Sequence, residues 1–356
     1  MSVSTPGTGF RSHRDALFWQ FHHSRARPAR IAERHTKIAS LVRIALIHNA
    51  RSRKNRRNGS SFAVEAEALL GKDFVPSDSR EGTTDHVRQL YERGVDTILI
   101  DGGDGTVSTA LTAIARAYPA DKLPDIVVLA SGNTNLIASD VGFGLRGMDA
   151  IHRLRKGALR SSIRTPIRLS WPGTDRMPVL GLFGGCAGFA RAVRIAHSPT
   201  VLRFAPHDLA VGITLLTTFV SLMFRRSREA WLKGDPLRIE TGGHAYDGQS
   251  FMFLVTGLSC LSRGIWPFWD AEPNVEGLRY LDVNARPDSL LRATAALLFG
   301  RAPRWLRRHP DYVSGRTDDM TLVTESDFVL DGEVFTAAPD GVLHLERAPG
   351  FRFLHA

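Results

Sequence analysis

The stretch Asp101-Gly-Gly-Asp-Gly-Thr106 lies between two segments with different hydrophobic patterns. Residues 85–93 are predicted to form a helix that leads into residues 94–100, a short apolar run with β-branched side chains that is typical of a buried parallel strand. Residues 107–118 carry apolar side chains at helical spacing. The sequence therefore predicts a strand, a glycine turn and a helix in this order.

The composition of this glycine turn predicts a phosphate site. Glycines let the backbone approach a ligand closely, and the free amides in the first turn of the following helix favour an anion. Because Asp104 would repel a phosphate, its carboxylate suggests a bound divalent metal or a proton taken from an attacking hydroxyl. The alternative is an ordinary strand-to-helix turn in which Asp104 is a cap. The complete Gly-Gly-Asp-Gly-Thr pattern favours the phosphate site.

Two further predicted strands also end in polar loops. Residues 41–47 lead into a basic loop that begins with His48 and Asn49, and residues 126–130 lead into Ser131-Gly-Asn-Thr-Asn135. Ligands of open α/β sheets bind at the carboxyl ends of the strands, so three such loops on one edge predict a nucleotide site.

The basic loop itself, residues 48–55, allows two interpretations. Arg51, Arg53 and Lys54 could pair with phosphates, or they could form a solvated run of charges without a ligand. The residues alone do not decide between these.

From about residue 162 the pattern changes to short alternating or apolar runs separated by turn residues, the first of them over residues 163–171, which is typical of an all-β unit. Residues 209–224 interrupt it with an apolar segment that is short for a membrane span. We expect there a helix packed on the β domain, with a helix lying against lipid as the alternative.

The chain therefore divides into four parts. They are a basic, disordered tail (1–37), an α/β nucleotide-binding domain (38–161), a β-rich acceptor-binding domain (162–345) and a C-terminal segment that could return to the first domain (346–356).

The net charge of the 356-residue chain is +10, from 46 Lys and Arg against 36 Asp and Glu. This surplus suits nucleic acid, an anionic membrane surface or a polyphosphate ligand. No zinc-type spacing or aromatic RNA-binding signature supports nucleic acid.

Cys186 and Cys260 form no disulfide framework, and the N-terminus has no apolar core of signal-peptide type. We therefore expect a cytoplasmic protein that associates peripherally with anionic membranes, and the sequence is compatible with a homodimer.

Read in chain order, Gly102-Gly-Asp-Gly-Thr106, the Ser131–Asn135 loop and Asp331-Gly-Glu333 resemble the diacylglycerol kinase catalytic-domain family, which includes bacterial lipid kinases and sphingosine kinases. The resemblance extends from about residue 42 to 350. It implies a NAD-kinase-like, three-layer α/β nucleotide domain followed by a β-sandwich lipid-binding domain. It also implies an active site between them, where ATP and Mg²⁺ serve to phosphorylate a hydroxyl of a diacylglycerol-like or sphingoid lipid.

The resemblance assigns roles to individual residues. Glu333 falls at the catalytic acid position of the family, Asp104 would hold the catalytic Mg²⁺ through ATP, and Glu276 would bind a structural Mg²⁺. The expected nucleotide contacts are Asn49, Arg51, Ser52, Arg53, Ser77, Gly102, Gly103, Gly105, Thr106, Asn133 and Asn135. Asp-Gly alone is also a hairpin signal, but together with the upstream loops it favours Glu333 as the base for the acceptor hydroxyl.

Two other functions stay open. A NAD-kinase-like enzyme with a soluble acceptor would use the same glycine turn, although the apolar and aromatic stretches of the second domain favour a lipid. A non-catalytic lipid- or nucleotide-binding protein of the same fold would explain why Asn133, Leu136 and Ala190 replace residues usual in the family. Asp104 and Glu333 are retained, which favours catalysis.

Overall fold

The computed structural model describes residues 43–58, 60–77, 79–132, 134–196, 229, 231–261, 266–269, 277–298 and 302–356. Several predictions fall outside these residues: the basic tail at 1–37, the apolar segment at 209–224, and the ligand roles of Asn133 and Glu276.

The first domain is built around a six-stranded sheet. Its strands are β1 (Ile44–His48), β2 (Phe74–Pro76), β3 (Thr97–Gly102), β4 (Asp125–Ala130), β5 (Arg160–Arg164) and, from the end of the chain, β17 (Phe351–His355). Its helices are α1 (Arg53–Asn58), α2 (Ser61–Leu70), α3 (Arg80–Glu92), α4 (Asp104–Ala117), α5 (Leu136–Val141) and α6 (Gly147–Lys156). The strand order is β2-β1-β3-β4-β17-β5, and β5 is antiparallel to its neighbour β17.

The central prediction for this domain is confirmed. The strands that end near Ile47, Ile100 and Ala130 are parallel neighbours, with Ile47 opposite Ile100 and Gly102 opposite Ala130. Alternate residues of each strand enter cores on opposite faces of the sheet: Ile98 belongs to one core and Leu99 to the other. Helices therefore cover both faces, which is why these strands are continuous apolar runs.

Two local predictions are corrected. The basic run after Ser52, predicted as a loop as far as Asn55, begins a helix at Arg53. Helix α3 begins at Arg80, five residues before the predicted start at Asp85, because the Ser79 hydroxyl accepts a hydrogen bond of 3.1 Å from the Gly82 amide and caps the helix.

The second domain is an antiparallel sheet of eleven strands. They are β6 (Ile167–Ser170), β7 (Val179–Gly181), β8 (Phe183–Ala187), β9 (Asp235–Thr241), β10 (His244–Thr256), β11 (Leu278–Asn284), β12 (Tyr312–Thr317), β13 (Asp319–Thr324), β14 (Phe328–Leu330), β15 (Glu333–Phe335) and β16 (Val342–Arg347). The helices described here are α7 (Gly188–Ala196), α8 (Leu290–Leu298) and α9 (Arg304–Arg307). In the described part of the chain, no helix is both long and apolar enough to cross a bilayer.

The order of this sheet is β15-β14-β8-β10-β9-β13-β16-β6-β7, with β11 paired to β10 beside this order and β12 paired to β11. One core contains Leu169 from β6 and Phe328 from β14, which lie near opposite ends of this order. The sheet therefore folds over on itself around a shared core, and the predicted α/β domain followed by a β-sandwich domain is confirmed.

Residues near the domain junction were predicted as one run, 163–171, but they divide between the two sheets. Strand β5 lies in the first sheet and β6 in the second, and Pro166 between them has no N–H to continue a ladder. Near the end of the chain, β17 returns to the first sheet and pairs with both β4 and β5. The first sheet therefore contains segments from both sides of the β domain.

Candidate active site

A cavity of about 510 Å³ opens where the carboxyl ends of β1 and β3 face the turn between β14 and β15. The predicted residues that line it are Asn49, Arg51, Ser52, Arg53, Ser77, Gly103, Asp104, Gly105, Thr106 and Glu333. Further lining residues, to which the sequence analysis assigned no individual role, are Arg56, Ser79, Arg80, Thr109, Gly132, Thr134, Asp331 and Gly332. The structure thus brings residues from both domains to one cleft.

Two predicted contacts lie beside the cavity without lining it. A Cβ at Gly102 would lie 2.4 Å from the Thr106 Cβ, so this glycine packs against its own turn. The Asn135 amide closes a local loop, since its oxygen accepts from the Gly132 amide and its nitrogen donates to the Gly132 carbonyl, both at 2.9 Å. These two residues therefore shape the loops around the cavity.

The glycine turn and the Ser131 loop are in direct backbone contact. A Cβ at Gly132 would lie 2.4 Å from the Gly103 Cα, closer than real Cβ atoms approach, so this contact requires a glycine at position 132. Gly103 is the residue before helix α4, and no side chain among the described residues caps this helix. The N-terminus of a 14-residue helix therefore faces the cavity, which favours a bound anion.

Asn49 connects the β1 loop to the glycine turn. Its side-chain nitrogen donates to the Thr106 hydroxyl at 2.8 Å, and its oxygen accepts from the Arg51 amide at 2.9 Å. The Lys54 ammonium donates at 3.0 Å to the carbonyl of Ala130 at the end of β4. The basic segment 48–55 is therefore fixed against the neighbouring strands, while Arg51 and Arg53 line the cavity.

Asp101 is a structural centre that sequence reasoning missed. Its side chain is buried and bonds to His48 Nδ1 at 2.8 Å, to Asn55 Nδ2 at 2.9 Å and to the Ser131 hydroxyl. These partners come from the other two strand-end loops, so one carboxylate ties all three loops together. The available signal was an acidic residue at the end of an apolar strand.

Asp104 caps a helix, a role that the sequence analysis gave only as an alternative. The capped helix is α5 in the neighbouring loop, whereas Asp104 itself lies at the start of α4. Its two carboxylate oxygens accept hydrogen bonds from the Leu136 and Ile137 amides, each at 3.0 Å, at the start of α5. Burial raises the pKa of Asp104, while these two hydrogen bonds oppose that rise. The carboxylate also lines the cavity, so the structural role and a role toward a ligand are compatible.

The fit of Mg²⁺ can be judged from the donors. Mg²⁺ in kinase sites is bound by one or two carboxylates together with substrate phosphates and water. Asp104 supplies one such carboxylate, and each of its oxygens keeps a second lone pair beyond the amide bond. Among the described residues, the trio that could hold an ion by itself is Asp288, His309 and Asp311, away from this cavity. The site therefore fits Mg²⁺ that arrives with a nucleotide.

The turn between β14 and β15 presents Glu333. Asp331 has φ +48° and Gly332 φ +87°, so the chain reverses within two residues. The Asp331 oxygens accept from the Leu182 and Phe183 amides at 2.9 and 3.0 Å, which anchors the turn to the β7–β8 bend. Burial, reinforced by the charge of Asp104, raises the pKa of Asp331 to about 8.

Glu333 reaches across the cleft to the glycine turn. Its Oε1 lies 3.8 Å from the position of a Cβ at Gly105. Its other oxygen forms an ion pair with the Arg80 guanidinium, which also lies over the Phe335 ring at 5.7 Å from the centroid. The sequence analysis missed Arg80, which precedes the helix predicted over residues 85–93. The candidate base is thus held by a cation from the other domain.

Comparison with known proteins agrees with this geometry. Residues 43–163 match the family model of the diacylglycerol kinase catalytic domain. The probable lipid kinase YegS-like of Yersinia pestis (strain Pestoides F) is 31% identical over 99 residues, covering 24% of this chain and 33% of that protein. The chain thus matches about a third of the length of this curated relative.

Solved structures are similar over a much longer part of the chain. A crystal structure of a diacylglycerol kinase from Bacillus anthracis str. Sterne superposes with a TM-score of 0.55 at 14% identity, over 88% of this chain and 97% of its own. A second crystal structure from the same organism gives a TM-score of 0.61 at 15% identity over the same shares. The resemblance drawn from the glycine-turn motifs is therefore confirmed, in sequence by the match of residues 43–163 to the diacylglycerol kinase catalytic domain and in fold by these crystal structures.

Proposed function

We propose that this protein is an ATP-dependent lipid kinase that transfers the γ-phosphate to a hydroxyl of a diacylglycerol-like or sphingoid lipid. The observation that carries this proposal is the position of Glu333, whose carboxylate from the β domain faces Gly105 of the glycine turn across one cavity. A proton acceptor and a phosphate-binding turn are the two parts that phosphoryl transfer to an alcohol requires.

The nucleotide side of the cavity supplies neutralisation of charge. The amides at the start of α4 and the arginines at positions 51, 53, 56 and 80 line the space in which a triphosphate would lie. Magnesium bound through the nucleotide, with Asp104 as its protein ligand, would neutralise further phosphate charge. These groups hold the phosphates in place while the acceptor oxygen approaches.

The β domain supplies the group that activates the acceptor. The acceptor oxygen forms a bond to the γ-phosphorus, the bond from that phosphorus to the bridging oxygen breaks, and ADP leaves. The hydroxyl proton passes to the Glu333 carboxylate. A positioned base of this kind typically contributes about 10² to 10⁴-fold in rate. The Asp331 turn, anchored on Leu182 and Phe183, fixes where this carboxylate lies.

A lipid acceptor is proposed because the second domain carries aromatic and apolar side chains near the cleft. Phe335 follows Glu333 on β15, and the Phe183 and Phe189 rings pack edge to face at 5.4 Å on the adjoining strand and helix. A lipid acceptor also requires access to a bilayer. The net charge of +10 would favour a membrane surface that is anionic.

The test is transfer of labelled phosphate from ATP to a panel of acceptors in mixed micelles: diacylglycerol, ceramide, sphingoid base and isoprenoid alcohol. NAD as a soluble acceptor and a reaction without acceptor complete the panel. We expect a labelled lipid product whose rate of formation falls by about 10² to 10⁴-fold with Glu333→Gln. Labelled product from NAD alone would mean that the acceptor is a soluble molecule and not a lipid. Nucleotide binding without transfer to any acceptor would support a non-catalytic protein.

A further inference from the structure

Arg80 joins the two sides of the cleft. It is the first residue of α3, in the nucleotide domain, and its guanidinium pairs with the Glu333 carboxylate in the β domain. The same guanidinium lies over Phe335, two residues further along β15 on the same side of the strand. Both members of the pair are partly exposed, with 31% of the Arg80 side chain and 39% of the Glu333 side chain accessible. A small anion in the cavity can therefore reach either group.

The same place suits two different anions. The Glu333 carboxylate lies beside Gly105 at the N-terminus of α4, where the helix dipole and the amides favour negative charge. A nucleotide phosphate would seek the same helix end. Arginine binds carboxylate and phosphate with the same planar set of N–H donors. Phosphate and Glu333 would therefore compete for Arg80.

We infer that Arg80 is a positioning residue with two alternative partners, the Glu333 carboxylate in the nucleotide-free cleft and a nucleotide phosphate in the loaded cleft. The inference rests on the proposed function, because it needs a nucleotide in this cavity. Its consequence is that binding of the nucleotide removes the cation from Glu333. A carboxylate that loses a nearby positive charge accepts a proton more readily. Binding of ATP would thus prepare the base that the acceptor hydroxyl needs.

The exchange predicts a specific pattern of affinities. In the wild-type protein, the nucleotide must break the Arg80–Glu333 pair. Glu333→Gln should therefore strengthen nucleotide binding in two ways: it ends the competition for Arg80, and it removes the repulsion between the Glu333 carboxylate and the phosphates. In an Arg80→Gln background, Glu333→Gln removes only the repulsion. The factor by which Glu333→Gln lowers the nucleotide dissociation constant should therefore be about twofold to fivefold larger in the wild-type background. This difference corresponds to the free energy expected of a partly exposed ion pair.

The experiment is isothermal titration calorimetry with a non-hydrolysable ATP analogue and Mg²⁺, without lipid. The proteins are wild type, Arg80→Gln, Glu333→Gln and the double variant, each checked for folding by thermal unfolding. Arg56→Gln serves as the matched control, because Arg56 lines the same cavity. We expect its effect on the dissociation constant to be additive with that of Glu333→Gln. Arg80→Lys keeps a cation and should restore part of the coupling.

Equal gains from Glu333→Gln in the wild-type and Arg80→Gln backgrounds would overturn the exchange of partners and leave the nucleotide site intact. A wild-type protein that does not bind the analogue would overturn the nucleotide site itself, and with it both proposals. A gain that is larger in the presence of Arg80 and unaffected by Arg56→Gln would support the exchange.

Discussion

The Asp104 carboxylate and the Ile137 amide are joined by a hydrogen bond of 3.0 Å, so the aspartate of the glycine turn caps the helix of the neighbouring loop. The other oxygen of Asp104 accepts from Leu136 in the same way. The glycine turn after β3 and the loop after β4 are thus held together by the side chain that, under the proposed function, would also hold a metal. Loss of this carboxylate should affect both the stability and the chemistry of the site.

Asp104→Asn should therefore lower two measured quantities. Asparagine has one acceptor oxygen, and its NH₂ group would face a backbone N–H, so we expect the free energy of unfolding to fall by about 1–3 kcal/mol. Turnover should fall by orders of magnitude because the negative charge is gone. Denaturant unfolding and phosphate transfer measure these effects.

The control for this variant is Asp149→Asn, which makes the same chemical change at an exposed position in the first turn of α6. It should alter neither quantity appreciably. If the Asp104→Asn protein were destabilised but turned over normally, Asp104 would act only as a helix cap, with no role in catalysis.

The sequence predicted the parts of the site that depend on local patterns. Apolar runs followed by small polar residues located β1, β3 and β4, and the rule for parallel sheets placed their loops on one edge. The Asp-Gly pair predicted the turn that presents Glu333. The division of residues 163–171 between two sheets was missed because an alternating pattern does not specify which sheet a strand joins.

The pairings across the cleft could not be read from the sequence. Arg80 and Glu333 are 253 positions apart, and neither lies in a periodic pattern that would indicate a partner. Asp101 was missed for a similar reason, since its partners His48 and Ser131 come from other loops. Helix α1 was taken for a loop because its residues are all polar or charged, so that no apolar spacing revealed it.

Gly132→Ala should separate the two loops that Asp104 holds together. The added Cβ would lie 2.4 Å from the Gly103 Cα, so the backbone of the Ser131 loop must move away from the glycine turn. Such overpacking typically costs about 1–3 kcal/mol, and the shift should weaken nucleotide binding as well. Thermal unfolding and calorimetric titration with an ATP analogue measure both effects.

Gly248→Ala is the matched control, because no heavy atom lies within 4 Å of the Cβ position at Gly248. We expect a change of less than about 0.5 kcal/mol in its stability and no change in its nucleotide affinity. If Gly132→Ala bound nucleotide as tightly as this control, close contact between the loops would be unnecessary for the site.

Glu333→Gln tests the proposed base. Glutamine fills the same space but cannot take up the hydroxyl proton, so the turnover number should fall by about 10² to 10⁴-fold while the nucleotide affinity does not decrease. Glu325→Gln, at an exposed position in the turn between β13 and β14, should leave both quantities unchanged. A turnover number close to that of wild type would place the base elsewhere, and Asp104 would be the first residue to examine.

Asp282 in β11 should make the stability of the β domain depend on pH. Burial raises its pKa from 3.8 to about 6, and the hydrogen bond of 2.6 Å from the Ser250 hydroxyl only partly offsets this effect. The folded protein therefore keeps a proton on Asp282 in a pH range in which the unfolded chain has released it. As the pH rises through about 4 to 6, the free energy of unfolding therefore falls, by a total on the order of 3 kcal/mol from this group.

Asp282→Asn removes this titration, so the difference in free energy of unfolding between wild type and variant should change across this pH range. Wild type should lose stability relative to Asp282→Asn as the pH rises from about 4 to 7, because only the wild-type side chain must become charged in a buried place. Urea unfolding at several pH values measures the difference. Asp247→Asn, at an exposed position on β10, should show no such trend. A constant difference between Asp282→Asn and wild type at every pH would mean that Asp282 has the same protonation state in the folded and unfolded chains.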